Sequence, residues 1–197
     1  MSQSSSVASS FSVGEDGWAL PARHLASPNC DDRCPGDDIS LLVIHNISLP
    51  PGQFGAGHVD TFFCNKLDVG AHEFFEEIKD LRVSAHFLVD RNGEVTQFVP
   101  TIDRAWHAGV SCFEDRDACN DFSIGIEMEG TDDQPYTDDQ YQTLAELTAA
   151  LMQRHKGITL ERIAGHCDIA PARKTDPGPS FDWSRYRASI RQSQGEL

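Results

Sequence analysis

Residues 122–129 alternate between large apolar side chains (Phe122, Ile124, Ile126, Met128) and small or acidic ones (Ser123, Gly125, Glu127, Glu129). A period of two belongs to extended backbone, because successive Cβ atoms in a strand point to opposite faces. The stretch therefore predicts a strand with one apolar face, and a strand obliges the rest of the chain to supply a sheet. A second strand is predicted over 39–47, ISLLVIHNI. It is a short apolar run rich in branched residues, preceded by Pro35-Gly36 and stopped by Pro50-Pro51, as a buried strand would be. AHFLVDRNGEVTQFV, 85–99, reads as an antiparallel hairpin with Asn92-Gly93 as a two-residue type I′ turn.

Helices are expected between these strands. Residues 58–65 and 72–80 predict short ones. Thr137-Asp138-Asp139-Gln140 fits a capping box with Thr137 as N-cap. Behind it Tyr141, Leu144, Leu147 and Leu151 form one stripe of a helix that runs to His155. Asp182 predicts the cap of a last helix over 183–191. Strands and helices alternate around one hairpin. The expected fold class is therefore α/β, a single domain with a mixed central β-sheet flanked by helices. Its expected span is 16–192, between a frayed Ser-rich N-terminus, 1–15, and a C-terminal tail, 193–197. A chain of 197 residues is long enough to bury one sizeable core.

Sixteen basic against 31 acidic residues give a formal charge of −15. That balance argues against nucleic acid or an anionic membrane as partner, since phosphate recognition needs a basic footprint. No obligate protein partner is evident. MSQSSSVASSFSVGEDGW has neither the basic nor the apolar region of a signal peptide, and no run approaches membrane-spanning length. The expectation is a cytoplasmic protein whose six cysteines are mostly reduced. Cys30 and Cys34 are spaced like half a zinc site, but no second pair follows them.

The chemistry concentrates in GHCDIAPARKTDPG, 165–178, a segment with neither helical period nor strand alternation. His166 is a candidate metal ligand, and Asp176 could return to the same ion from ten residues later. Cys167 ranks below Asp176, because adjacent side chains usually point apart. Asp168 reads first as a turn cap, with orientation of a histidine as the other role. His45 ends an otherwise apolar strand, where ligands gather in α/β sheets. Two histidines from distant segments plus one carboxylate give three ligands and an open fourth position, the pattern of a catalytic zinc. Glu127 and Glu129 share one face of their strand, and alternation alone does not choose between them as general base. Lys174 could stabilise a developing oxyanion.

LLVIHNISLPPGQFG, LRVSAHFLVDRNGEVTQFVP, RAWHAGVS, CNDFSIGIEMEGTD, YTDDQY and GHCDIAPARKTDPGPSFDW, taken together and in this order, resemble the AmpD-type 1,6-anhydro-N-acetylmuramyl-L-alanine amidases of the zinc amidase and peptidoglycan-recognition fold. The resemblance runs from Trp18 to Tyr186. It implies zinc (Zn2+) held by His45, His166 and Asp176, with Glu127 and Lys174 as catalytic residues. It implies substrate contacts at Asn46, Arg82, Trp106 and His107. At one position the pattern departs: relatives often carry Arg directly before Cys-Asn-Asp-Phe, where this chain has Ala118, with Arg116 two residues earlier. The implied reaction is hydrolysis of the amide joining the lactyl group of 1,6-anhydro-N-acetylmuramic acid to L-alanine of the stem peptide. The implied partner is an anhydro-muropeptide. The implied setting is cell-wall recycling in the bacterial cytoplasm, with an effect on β-lactamase induction. A non-catalytic peptidoglycan-recognition module would share the fold but lack a full ligand set. A different zinc hydrolase is disfavoured by the absence of His-Glu-x-x-His, and a redox protein by the absence of Cys-x-x-Cys.

Overall fold

The computed structural model describes residues 11–34, 36 and 38–195. Six strands form the main sheet: β1 (Arg23–His24), β2 (Leu41–Ile47), β3 (Phe87–Val89), β4 (Val95–Gln97), β5 (Ser123–Glu129) and β6 (Ile163–Gly165). Their order is β6-β2-β5-β3-β4-β1. β5 runs parallel to β2 and β3, β6 runs parallel to β2, and β3 and β4 form the antiparallel hairpin. The helices are α1 (His58–Phe63), α2 (Phe75–Ile78), α3 (Asp138–Arg154), α4 (His166–Ile169) and α5 (Trp183–Ser193). The α/β class with a mixed sheet is as expected.

Every residue of β5 is buried, so both faces of the sheet are covered. On one face Leu42, Ile44, Phe87, Ile124, Ile126 and Met128 pack with the predicted α3 stripe and with Tyr186 and Ile190 of α5. Each such large apolar side chain contributes about 1.5–3 kcal/mol by leaving water. The helix signals hold: Thr137 Oγ1 accepts the Gln140 N–H while Gln140 Oε1 accepts the Thr137 N–H. Asp182 likewise caps α5, its Oδ1 accepting the Arg185 N–H. On the opposite face Leu41 and Val43 pack with Ala108, Cys119, Phe122, Ala164 and Ile169. That face carries the site.

Several expectations need correction. Phe122 lies outside β5, at φ −128° and ψ 12°, after a 3-10 turn over Cys119–Asp121. It therefore packs on the face opposite Ile124. The hairpin turn is wider than type I′, which needs positive φ at both central residues. Only Gly93 has it, at +79°. The Asp90 N–H donates to the Glu94 carbonyl at 3.0 Å, enclosing three residues. Asp90 Oδ1 stabilises that loop by accepting the N–H groups of Asn92 and Glu94, both at 2.8 Å. The helices expected over 58–65 and 72–80 are shorter, ending at Phe63 and spanning only Phe75–Ile78. Ser12 and Val13 pair with Leu20 and Ala19, so the N-terminal segment is structured from there; residues 1–10, 196 and 197 lie outside the described residues. All six cysteines are free thiols. Among the described residues no helix is long and apolar enough to cross a membrane.

Candidate metal and catalytic site

The parallel register sets the site. β2 and β5 align Val43 with Gly125 and His45 with Glu127. Leu42, Ile44, Ile124 and Ile126 turn toward α3, so His45 and Glu127 turn together to the other face. β6 lies on the far side of β2 and delivers His166 as the first residue of α4. The segment 165–178, read from the sequence as a loop, thus begins with the last residue of a strand and a single helical turn, His166–Ile169. Beyond α4 the chain doubles back. The Arg173 and Lys174 N–H groups both donate to the Ala170 carbonyl, and the Cys167 N–H donates to the Asp176 carbonyl at 2.9 Å. That last bond returns Asp176 to the start of α4.

One atom from each of His45, His166 and Asp176 lies within 4.8 Å of the others. His45 Nδ1 is 2.9 Å from His166 Nδ1 and 3.2 Å from Asp176 Oδ2, and His166 Nδ1 is 3.0 Å from the same oxygen. The chemistry of these atoms fits a cation. His166 Nε2 faces the Ala108 carbonyl at 3.1 Å, and a carbonyl only accepts. A neutral His166 therefore donates from Nε2 and presents a bare Nδ1 lone pair to the Asp176 carboxylate. Burial, the largest of the effects on it, lowers the His45 pKa to about 4, so the His45 ring is neutral at pH 7. Two lone pairs and a carboxylate oxygen converging in a buried space suit a divalent metal with N and O ligands.

Glu127 and Glu129, equivalent by alternation, differ sharply here. Glu129 Oε1 accepts the Gly55 N–H at 2.7 Å and its Oε2 accepts the Arg91 N–H at 3.2 Å, which is a structural role. Glu127 Oε2 is buried without a hydrogen-bond partner. Burial, reinforced by the Asp176 charge and only partly offset by Lys174, holds the Glu127 carboxyl well above the usual carboxylate range. A buried acid with an unengaged oxygen beside a metal-ligand cluster is suited to moving a proton. Asn46, Ser48, Asp132, Lys174 and Asp176 border an open cleft of about 460 Å³. A cavity of about 500 Å³ beside the hairpin, bordered by Leu49, His58, Val95 and Glu129, contains none of the cluster.

The other candidates divide. Asn46 borders the cleft and donates to Asp132 Oδ1 at 2.8 Å. His107 Nδ1 lies 2.8 Å from His45 Nε2, behind the cluster. Arg82 is not brought to the cluster: its guanidinium donates to the Lys79 and Leu81 carbonyls, and it borders a separate depression with Phe62, Asn65 and Leu67. The Trp106 indole N–H donates to Asp31 Oδ1 at 3.1 Å, and Trp106 does not border the cleft. Arg116 lies over the Phe122 ring at 4.0 Å. Cys167 is outside the cluster, and Asp168 Oδ2 accepts the Gly165 N–H at 2.7 Å, a turn contact. Sequence reasoning missed Ala108, Asp132 and Tyr136, whose hydroxyl donates to the Pro177 carbonyl at 2.8 Å. A signal for His107 was present in Gly125: a Cβ there would stand 2.5 Å from the imidazole.

Known proteins carry the same arrangement of segments. The AmpD 1,6-anhydro-N-acetylmuramyl-L-alanine amidase of Haemophilus influenzae is 56% identical over 177 residues, 90% of this chain and 96% of that protein. The Escherichia coli AmpD is 55% identical over 176 residues, 89% of this chain and 96% of that protein. Among solved structures, a selenomethionine AmpD derivative superposes with a TM-score of 0.87 at 55% identity, covering 89% of this chain and 98% of that one. E. coli AmiD, solved with the substrate anhydro-N-acetylmuramic acid-L-Ala-D-gamma-Glu-L-Lys, superposes with a TM-score of 0.57 at 29% identity, covering 91% of this chain and 65% of that one. The model of the N-acetylmuramoyl-L-alanine amidase family matches residues 35–179, a stretch that holds His45, Glu127, His166, Lys174 and Asp176 together. By that match and those identities, the chain belongs to the N-acetylmuramoyl-L-alanine amidase family.

Proposed function

We propose that the chain is a zinc-dependent 1,6-anhydro-N-acetylmuramyl-L-alanine amidase. It hydrolyses the amide between the lactyl group of 1,6-anhydro-N-acetylmuramic acid and L-alanine of the stem peptide. The observation that carries this reading is the convergence of His45, His166 and Asp176 within 4.8 Å, on the sheet face that also carries Glu127. Identity above half to AmpD amidases over nearly their whole length supports the substrate class. By the same kinship the enzyme acts in cytoplasmic muropeptide recycling and, through the fragments it removes, affects β-lactamase induction.

His45, His166 and Asp176 hold the metal, which when bound supplies Lewis acidity toward the scissile carbonyl and the attacking water. Glu127 receives the proton of that water as it adds to the carbonyl carbon. Its Oε2, buried without a hydrogen-bond partner, is free to take that proton and pass it to the alanine nitrogen as the C–N bond breaks. Lys174 donates to the oxygen that gains charge in the transition state. Asn46, at the cleft edge, contacts substrate. The complete ligand set disfavours a binding-only module. The test is mass spectrometry of purified anhydro-muropeptide incubated with the protein, with its zinc content measured alongside. Cleavage to anhydro-muramic acid and free stem peptide is expected, abolished by chelator and restored by zinc. A zinc-loaded, folded protein that leaves the substrate intact would overturn the reading.

A further inference from the structure

His45 and His166 lie far apart in sequence, yet their outward-facing nitrogens end on adjacent residues of one loop. His45 Nε2 lies 2.8 Å from His107 Nδ1, and His166 Nε2 lies 3.1 Å from the Ala108 carbonyl. Hydrogen-bond roles follow without conflict. Nδ1 of His45 faces the other ligand atoms as a lone pair, so Nε2 carries the proton and His107 Nδ1 accepts it. His107 then donates from Nε2 to Ser123 Oγ, at 3.1 Å. The His107–Ala108 pair thus fixes the tautomer and aim of both metal histidines.

That pair is itself held by one side chain. Asn120 Oδ1 accepts the His107 N–H at 3.1 Å and the Ala108 N–H at 2.8 Å. Asn120 is pinned in turn, its carbonyl accepting from the Arg33 guanidinium at 3.1 Å. From below, the absence of a side chain at Gly125 leaves the space that the His107 imidazole fills. Both orienting contacts to the metal histidines thus hang from the Asn120 amide oxygen.

We infer that Asn120 is a positioning residue of the metal site: by clamping His107 and Ala108 it presets His45 and His166 and so raises the affinity for zinc. This rests on the reading of His45, His166 and Asp176 as that site. Partners that orient metal-ligating histidines typically change metal affinity about 10–100-fold when lost. Asn120→Ala leaves both backbone N–H groups without their acceptor. Asn120→Asp retains an oxygen in place.

The experiment measures the zinc dissociation constant by competition with a chromophoric chelator, and the unfolding temperature with and without zinc, for the full chain. Asn120→Ala is expected to bind zinc about 10–100-fold more weakly, with Asn120→Asp recovering most of the loss. The zinc-induced rise in unfolding temperature should shrink in Asn120→Ala. A purely structural role would lower both temperatures equally and leave that rise unchanged, which would overturn the inference. Should Asn120→Ala not fold, His107→Phe keeps the ring volume, removes the acceptor and carries the same expectation of weakened zinc binding. Wild-type affinity in a folded Asn120→Ala, or in His107→Phe, overturns the inference alone. A wild-type chain that takes up no zinc overturns the metal-site reading and this inference with it.

Discussion

Two carboxylates in one strand show how much a single side chain's surroundings decide. Glu129 is saturated by backbone donors, while Glu127 keeps an oxygen free in a buried place. Glu127→Gln should lower turnover by about 10²–10⁴-fold, the usual weight of a general acid–base group, while zinc content is retained. It should also change stability in a pH-dependent way. In the unfolded chain Glu127 loses its proton at about pH 4.3; in the folded, zinc-free chain it holds it to higher pH. The stability this group contributes is therefore complete below its unfolded pKa and is lost as pH rises through the folded one. Zinc-free Glu127→Gln should melt close to wild type at pH 4 and increasingly above it toward pH 8. A gap independent of pH would remove burial as the cause. Lys174→Ala should lose about 100- to 1,000-fold in turnover with zinc content unchanged; full activity in that variant would take the oxyanion role away from Lys174. Residue types and spacing made His45, His166 and Asp176 candidate ligands, because few side chains can do that chemistry, and the family resemblance joined them into one set. Asn120 escaped notice because it acts through other residues' backbone, which no residue pattern records.

At the level of elements, legibility followed length. The α3 stripe was readable because it repeats over several turns, and the N-caps Thr137 and Asp182 because each is set by its own few residues. Thr137→Ala should cost about 1 kcal/mol in denaturant unfolding, with the slope of the transition unchanged. A loss within error of zero would mean that packing of the stripe alone fixes the start of α3. β6 and α4, by contrast, have three and four residues, too few for any period to emerge. The hairpin was found but its turn was misjudged, since the Asp90 side chain outcompeted the preference of Asn92-Gly93 for the tighter form.

Across the whole molecule, the site joins segments that the chain keeps more than a hundred residues apart. His45 and His166 meet only once β6 has docked on β2. A ligand that binds only the folded state stabilises it by mass action, about 2.7 kcal/mol when free ligand is 100 times its dissociation constant. Scanning calorimetry at rising zinc should therefore raise the unfolding temperature in proportion to the logarithm of free zinc. A flat response would mean that the ion does not bind the native cluster. With a formal charge of −15, the general field does not favour an acidic substrate, so on the proposed reading local groups such as Lys174 and Asn46 at the cleft hold it.

The alignment of His45 with Glu127 across β2 and β5 has a consequence for how the protein comes into being. A slip of β5 by one residue against β2 would swing Glu127 toward α3 and bring Ile126 or Met128 to the cleft. A chain in the wrong register would thus be inert as well as misfolded. On the proposed reading, zinc uptake during refolding then reports that β6, β2 and β5 have all paired in register.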